Sequence, residues 1–328
     1  MLSFPHVQDF QSLLDSNFRR ISKIPGHGRT KFERRKNEGR ARVEALGTSL
    51  KSTLERYRKN FPGLVEMHPF HRALLEVLVD PESLRKDLER IAWAARQIDT
   101  LRLRAERRIE RAQTLDAIEK EKKAAYGRIS SVLEDIGPNL EGLIQVSRST
   151  SQFPQVNPAL PTVIVAGVPN VGKSQLVLAW TRAKPKVAAY PFTTTRIGLG
   201  HREYHGQTVQ IMDTPGLLDR PLEDRGRSEL QAIAALRHLR AVILFLFDST
   251  EICGFPRDYQ EHVLQSLKRT FPDQLFLECD NKSDLPSKLA TRTRISALKG
   301  KGLKELWEQA GELVTSRGPA VSRPPRAK

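Results

Sequence analysis

Eight consecutive residues constrain this chain more than any others. Gly167-Val168-Pro169-Asn170-Val171-Gly172-Lys173-Ser174 fits G-x-x-x-x-G-K-[ST], between the β-rich run Thr162–Ala166 and a helix-like stretch from Ser174 to Arg182. A strand feeding a glycine-rich turn and then a helix builds an anion cradle. Gly167 and Gly172 let the loop backbone, through Asn170 and Val171, wrap a phosphate group, and the helix adds its positive end. Lys173 is spaced to reach the outer phosphates of a nucleotide, and the Ser174 hydroxyl to ligate Mg²⁺.

The downstream order agrees with that start. Asp213-Thr214-Pro215-Gly216 follows the run Thr208–Met212, so Asp213 is expected to hold Mg²⁺ through a water and the Gly216 N–H to sense the third phosphate. Asn281-Lys282-Ser283-Asp284 follows Leu275–Glu278. Guanine offers two adjacent donors that one carboxylate accepts together, whereas adenine puts an acceptor there, so Asp284 selects guanine. The Lys282 stem is expected over the base, Asn281 against the phosphate loop, and the backbone N–H groups of Ser296-Ala297 on the guanine carbonyl. Between the first two elements lies Tyr190-Pro191-Phe192-Thr193-Thr194-Thr195. One threonine must supply the second Mg²⁺ ligand; Thr194 is favoured, then Thr193. Thr193, Thr195 and Leu217 are switch candidates. Leu217 stands where a glutamine would orient water, which implies slow intrinsic turnover. Asp219, Glu223, Asp224 and Arg225 read as residues that signal nucleotide state and not as catalysts, a plain exposed loop being the competing reading, and Arg196 as a weak in-cis arginine finger.

The 328 residues allow about two domains, and 39% apolar against 28% charged residues can support a buried core. The longest apolar run, Ala241–Phe247, is far short of the ~20 residues needed to cross a bilayer. The first ten residues lack the apolar stretch of a secretory signal. Two cysteines, Cys253 and Cys279, cannot form a four-cysteine zinc site or a disulfide framework. The expectation is a cytoplasmic monomer with no membrane partner.

Residues 1–158 read as a helical bundle. Apolar residues recur at helical spacing (Leu74, Leu75, Leu78; Leu84, Leu88, Ile91), Asp80-Pro81-Glu82 forms a helix start, and Ser83–Tyr126 holds no Pro or Gly. After the prolines at 154, 158 and 161 the texture changes to alternating strand-like and helix-like runs, predicting a mostly parallel sheet flanked by helices over 159–317. Residues 318–328 read as a flexible basic tail. The fold class is therefore multidomain: an α-helical bundle followed by an α/β P-loop GTPase domain. Net charge is +16, and Arg19–Asn60 holds 14 Lys/Arg against four Asp/Glu. That density, with Arg34, Arg35, Lys36, Arg40 and Arg42 at its centre, predicts contact with a nucleic-acid backbone, folded RNA above all.

With these elements in view, the sequence resembles the Nog family (the nucleolar GTP-binding protein 1 group) within the Obg-like, translation-factor-related GTPases. Tyr190-Pro-Phe-Thr-Thr, the Gly167–Ser174 loop, Met67-His68-Pro69-Phe70 and Pro221-Leu-Glu-Asp-Arg225 carry the likeness. The short run beyond the GTPase half looks like the archaeal-type members. The resemblance implies GTP and GDP as ligands, hydrolysis with Mg²⁺, and assembly of the large ribosomal subunit, with the helical half on rRNA. It also implies a K⁺ role for Asn170, by likeness to potassium-stimulated relatives; the competing reading is that Asn170 only shapes the loop. An RNA-binding scaffold with a largely structural GTPase domain is the alternative function.

Overall fold

The computed structural model describes residues 4–61, 63, 66–151, 155–181, 186–190, 196–287 and 292–316. Thr193, Thr194, Thr195 and the tail expected at 318–328 lie outside the described residues. The chain divides into two compact units.

The helical unit is built from α1 (Phe10–Ser22), α2 (Lys31–Asn60), α4 (Pro81–Arg111), α5 (Leu115–Asp135) and α6 (Gly137–Ser151). Its helices start where their caps dictate. Thr30 and Glu33 exchange hydrogen bonds with each other's backbone ahead of α2, and the Asp80 carboxylate accepts the Glu82 and Ser83 amides ahead of Pro81. The Pro- and Gly-free stretch from Ser83 to Tyr126 is nevertheless two helices, because Thr114 caps a new one by accepting the Ala117 amide. Val43, Ile109, Ile118 and Ala125 form a small core between α2, α4 and α5.

The helix α3 (Pro69–Leu78) departs from the boundary expected at 158–159. Residues Met67–Leu78 belong to the second unit, while the chain on either side of them belongs to the first. The cause is apolar burial: Phe70 and Leu74 are fully buried and join the core that packs on the sheet.

That sheet has seven strands: β1 (Thr162–Ala166), β2 (Lys186–Ala189), β3 (Arg196–Tyr204), β4 (Gln207–Asp213), β5 (Ala241–Phe247), β6 (Leu275–Asp280) and β7 (Thr293–Arg294). Their order is β2-β3-β4-β1-β5-β6-β7, parallel from β4 to β7, with β3 antiparallel to β4 and β2 antiparallel to β3. The pair β2–β3 has no clear signal in the sequence; β3 is held by a tight turn at His205-Gly206, both with positive φ, which pairs Tyr204 with Gln207. Helices α7 (Lys173–Thr181), α8 (Arg227–Ala234), α9 (Arg257–Thr270) and α10 (Leu303–Ser316) complete the unit. α3 packs on α8 and on the 3₁₀ turn Ala235–His238 that follows it. Among the described residues no helix is long and apolar enough to cross a membrane.

Candidate nucleotide site

Five parallel strands deliver their carboxyl ends to one edge, where ligands bind in open α/β sheets. β1 leads into the loop Gly167–Gly172, β4 ends at Asp213, β5 runs into Asp248, β6 into Asn281 and β7 into Ser296. The cleft they leave measures about 670 Å³. Asn170, Gly172, Lys173 and Ser174 line it from the loop, Gly216 and Asp219 from the segment after β4, and Asn281, Lys282, Asp284 and Ser296 from the far side. The sequence motifs, 130 residues apart in the chain at their extremes, thus share one wall-to-wall space.

The loop is tightly made. Gly172 has φ +100°, and a Cβ there would fall 2.3 Å from the Asn281 side-chain nitrogen, so no other residue fits. Asn170 has φ +60°, a left-handed conformation that asparagine tolerates better than most residues. The buried Lys173 ammonium donates to the carbonyls of Gly167 (2.7 Å) and Val168 (2.9 Å), which aims it across the loop. Burial holds its pKa below the usual lysine value, against the opposing fields of Asp219 and then Asp213.

Asn281 clasps three elements at once. Its amide donates to the Val171 carbonyl (2.7 Å), and its side-chain oxygen accepts the Ala297 N–H (2.9 Å). The expected brace on the phosphate loop is therefore present in detail. Lys282, with φ +60°, donates to Asp248 at 2.7 Å. Asp248 also accepts the Thr250 and Cys253 amides; burial alone would raise its pKa, but the Lys282 ammonium and these donors hold it low. The Ser296 hydroxyl donates to Asp284, whose pKa it lowers, and so orients the carboxylate expected to meet guanine.

The Ser296 N–H donates to the Lys301 carbonyl and the Ala297 N–H to Asn281, beside the place expected for the guanine carbonyl. The Leu217 side chain, expected in a switch segment, is fully buried in the hydrophobic core. Sequence reasoning missed Asp248, whose signal was an acid set directly after the apolar run Ala241–Phe247. It also undervalued Asp219, which lines the cleft.

Asp213 provides the test for a divalent cation. It is buried beside the Ser174 hydroxyl, burial raises its pKa, and its Oδ1 is buried with no hydrogen-bond partner among the described residues. A paired hydroxyl and orphaned carboxylate oxygen are the hard oxygen donors that Mg²⁺ takes. The residues fit the ion.

The basic residues of α2 are less free than their sequence implied. Arg35 and Arg42 pair with Glu38, and Lys36 and Arg40 pair with Glu110 of α4. Arg42 also donates to the carbonyls of Ser22 and Ile24. Four cations on two carboxylates, with Arg34 beside them, still leave an excess of positive charge. Arg196 is exposed at the start of β3.

Comparison with known proteins gives this geometry a lineage. Residues 2–157 match the family described as the NOG1 N-terminal helical domain, and residues 162–277 match the 50S ribosome-binding GTPase family. A Methanocaldococcus jannaschii protein, the uncharacterised MJ1408, is 35% identical over 74% of this chain and 68% of its own length. The chain belongs to the Nog family. Nucleolar GTP-binding protein 1 of Drosophila melanogaster is 33% identical over 86% of the chain, and this Nog-family chain matches 43% of the fly protein. The Caenorhabditis elegans protein of the same name is 33% identical over 41% of its length, so the chain spans about two fifths of these curated relatives. Among solved structures, a NOG1 homologue from Plasmodium falciparum is 32% identical and covers 50% of this chain and 91% of its own, with a TM-score of 0.44. The family matches place a GTPase-type domain, which holds the cleft, after a NOG1-type helical domain.

Proposed function

We propose that this Nog-family chain is a GTP-hydrolysing switch of low intrinsic rate that acts in assembly of the large ribosomal subunit. The observation that supports the reading is one cleft lined by the loop residues Asn170, Gly172, Lys173 and Ser174 and by Asp284, oriented by Ser296, with the buried Asp213 carboxylate hydrogen-bonded to Ser174 behind it.

The chain's own residues divide the work. Loop amides and Lys173 bind the phosphates of GTP, Asp284 accepts the donors of guanine, and the Lys282 stem, pinned by Asp248, lies along the base. Ser174 and Asp213 would hold Mg²⁺, the latter through a water, with Thr194 the favoured second ligand from the segment 191–195. When bound, the ion neutralises charge on the β- and γ-phosphates. Leu217 is buried and cannot itself orient water, so such a group must come from elsewhere in the cleft or from a partner, and a low intrinsic rate is expected. Asn170, at the cleft, is the K⁺ candidate, and hydrolysis faster in KCl than in NaCl is the expected result. GTP orders Thr193–Thr195 and the segment after Gly216, and hydrolysis to GDP releases them.

The ribosomal part of the reading is supported by the two family matches and by the residual positive charge around Arg34, Arg35, Lys36, Arg40 and Arg42 on α2. The protein is taken to act in the cytoplasm as a monomer. Calorimetry with GTP, GDP and ATP tests the cleft: tight guanine nucleotides and no ATP are expected. Crosslinking to large-subunit precursors with a GTP analogue and with GDP tests the switch. Equal RNA binding in both states would leave a scaffold rather than a switch.

A further inference from the structure

Hydrolysis needs a group that orients the attacking water, and the position after Asp213-Thr-Pro-Gly216 holds a buried leucine. Among the polar side chains of the cleft wall, Asn281 is engaged by Val171 and Ala297, and Asp284 by Ser296. Asp219 lines the cleft on the same side as Gly216.

Its placement is built, not incidental. Asp219 Oδ1 accepts from Arg225 Nη2 at 3.2 Å, and Arg225 Nη1 donates to the Gly216 carbonyl at 3.2 Å. The same guanidinium pairs with Glu229 on α8, and its side chain is fully buried. One arginine thus ties the carboxylate to the glycine expected at the γ-phosphate, and its charge offsets the cost of setting an anion beside a triphosphate. The second carboxylate oxygen makes no hydrogen bond among the described residues, and Asp219 lines the cleft.

We propose that Asp219 is the catalytic residue that orients and deprotonates the attacking water, with Arg225 as its positioning residue. The inference rests on the GTPase reading above. In the step, the water oxygen bonds to the γ-phosphorus as the bond from that phosphorus to the β–γ bridging oxygen breaks. The bridging oxygen keeps the electron pair and leaves on GDP. The proton lost by water passes to the free oxygen of Asp219 and then to the phosphate product, restoring the carboxylate.

The test is single-turnover hydrolysis by the full chain, with GTP and GDP affinities measured alongside. Asp219→Asn keeps size and the Arg225 contact but removes the base, so kcat falls about 10²–10⁴-fold. Affinities for both nucleotides stay within about threefold, and the melting temperature is unchanged. Asp219→Glu keeps a displaced carboxylate and gives an intermediate rate; it also serves if the asparagine variant does not fold. Arg225→Lys lowers kcat without weakening GTP affinity, a split that a merely structural role would not give. Wild-type turnover in Asp219→Asn overturns the assignment, as does loss of binding together with turnover. A wild-type chain that neither binds nor hydrolyses GTP overturns instead the reading on which it rests.

Discussion

Replacing Asn281 with alanine tests the site where its parts are joined. The side chain makes two hydrogen bonds, to the Val171 carbonyl and from the Ala297 amide, and both ends lie in buried surroundings. Their net worth is about 0.5–1.5 kcal/mol each, while a buried group left unsatisfied costs about 1–3 kcal/mol. Val171 is fully buried, so its carbonyl takes the larger penalty; Ala297 is 7% exposed and its amide regains some water. The two together give a loss of about 2–4 kcal/mol, measured by urea unfolding without nucleotide. The loop next to Gly172 also loses its stop, so GDP affinity falls as well, and calorimetry should find at least a tenfold loss, about 1.4 kcal/mol. Asn281→Asp keeps the acceptor for Ala297 but sets a carboxylate against the Val171 carbonyl, and should be worse. A stability loss under about 0.5 kcal/mol with unchanged GDP affinity would refute the view that this one side chain couples loop and base site.

Other outcomes follow from the same geometry. Lys173→Ala should abolish GTP and GDP binding in calorimetry while the fold persists by circular dichroism. Asp284→Asn removes a charged acceptor worth about 1.5–3 kcal/mol, so GTP affinity should fall roughly 10–100-fold and the margin over ATP should narrow. Asp213 has its pKa raised by burial, so its ionised form works against folding when no cation is bound. Asp213→Asn should therefore melt higher than the wild type at pH 7 without Mg²⁺. That gain should vanish below pH 3.8, the ordinary carboxylate value, where both are neutral, and Mg²⁺ should stabilise only the wild type. Asp248 runs the other way: its lowered pKa supplies stability above pH 3.8 that disappears as acid protonates it, and Asp248→Asn should flatten the acid limb of a pH–melting curve.

The parts of the site that were legible in the sequence were those whose chemistry requires a fixed spacing. The phosphate loop, Asp213 and Asp284 each sit at a strand end, and alternation of strands and helices told which end they share. Legibility failed where a role depends on a neighbour supplied by the fold. The carbonyl of Lys301 takes the Ser296 amide, and no local pattern announces that bridge. Leu217 is fixed by core packing around it, and Asp219 acquires its significance from Arg225. The α2 charge density overstated its freedom because Glu110 lies on a different helix, 70 residues away from Arg40. β2 and β3 were hidden because their ladder, not their composition, makes them strands.

The assignment of α3 has a practical and a physical consequence. Because Met67–Leu78 is built into the sheet unit, the backbone passes between the two units three times within residues 4–316, and Val79–Ser151 is topologically a loop-out of the GTPase half. A cut at residue 158 would strip Phe70 and Leu74 from the core they complete, at about 3–5 kcal/mol for the phenylalanine alone, and would leave an uncovered oily stripe on the severed helical piece. Dissection by truncation at that point is therefore expected to yield aggregates, read out by light scattering.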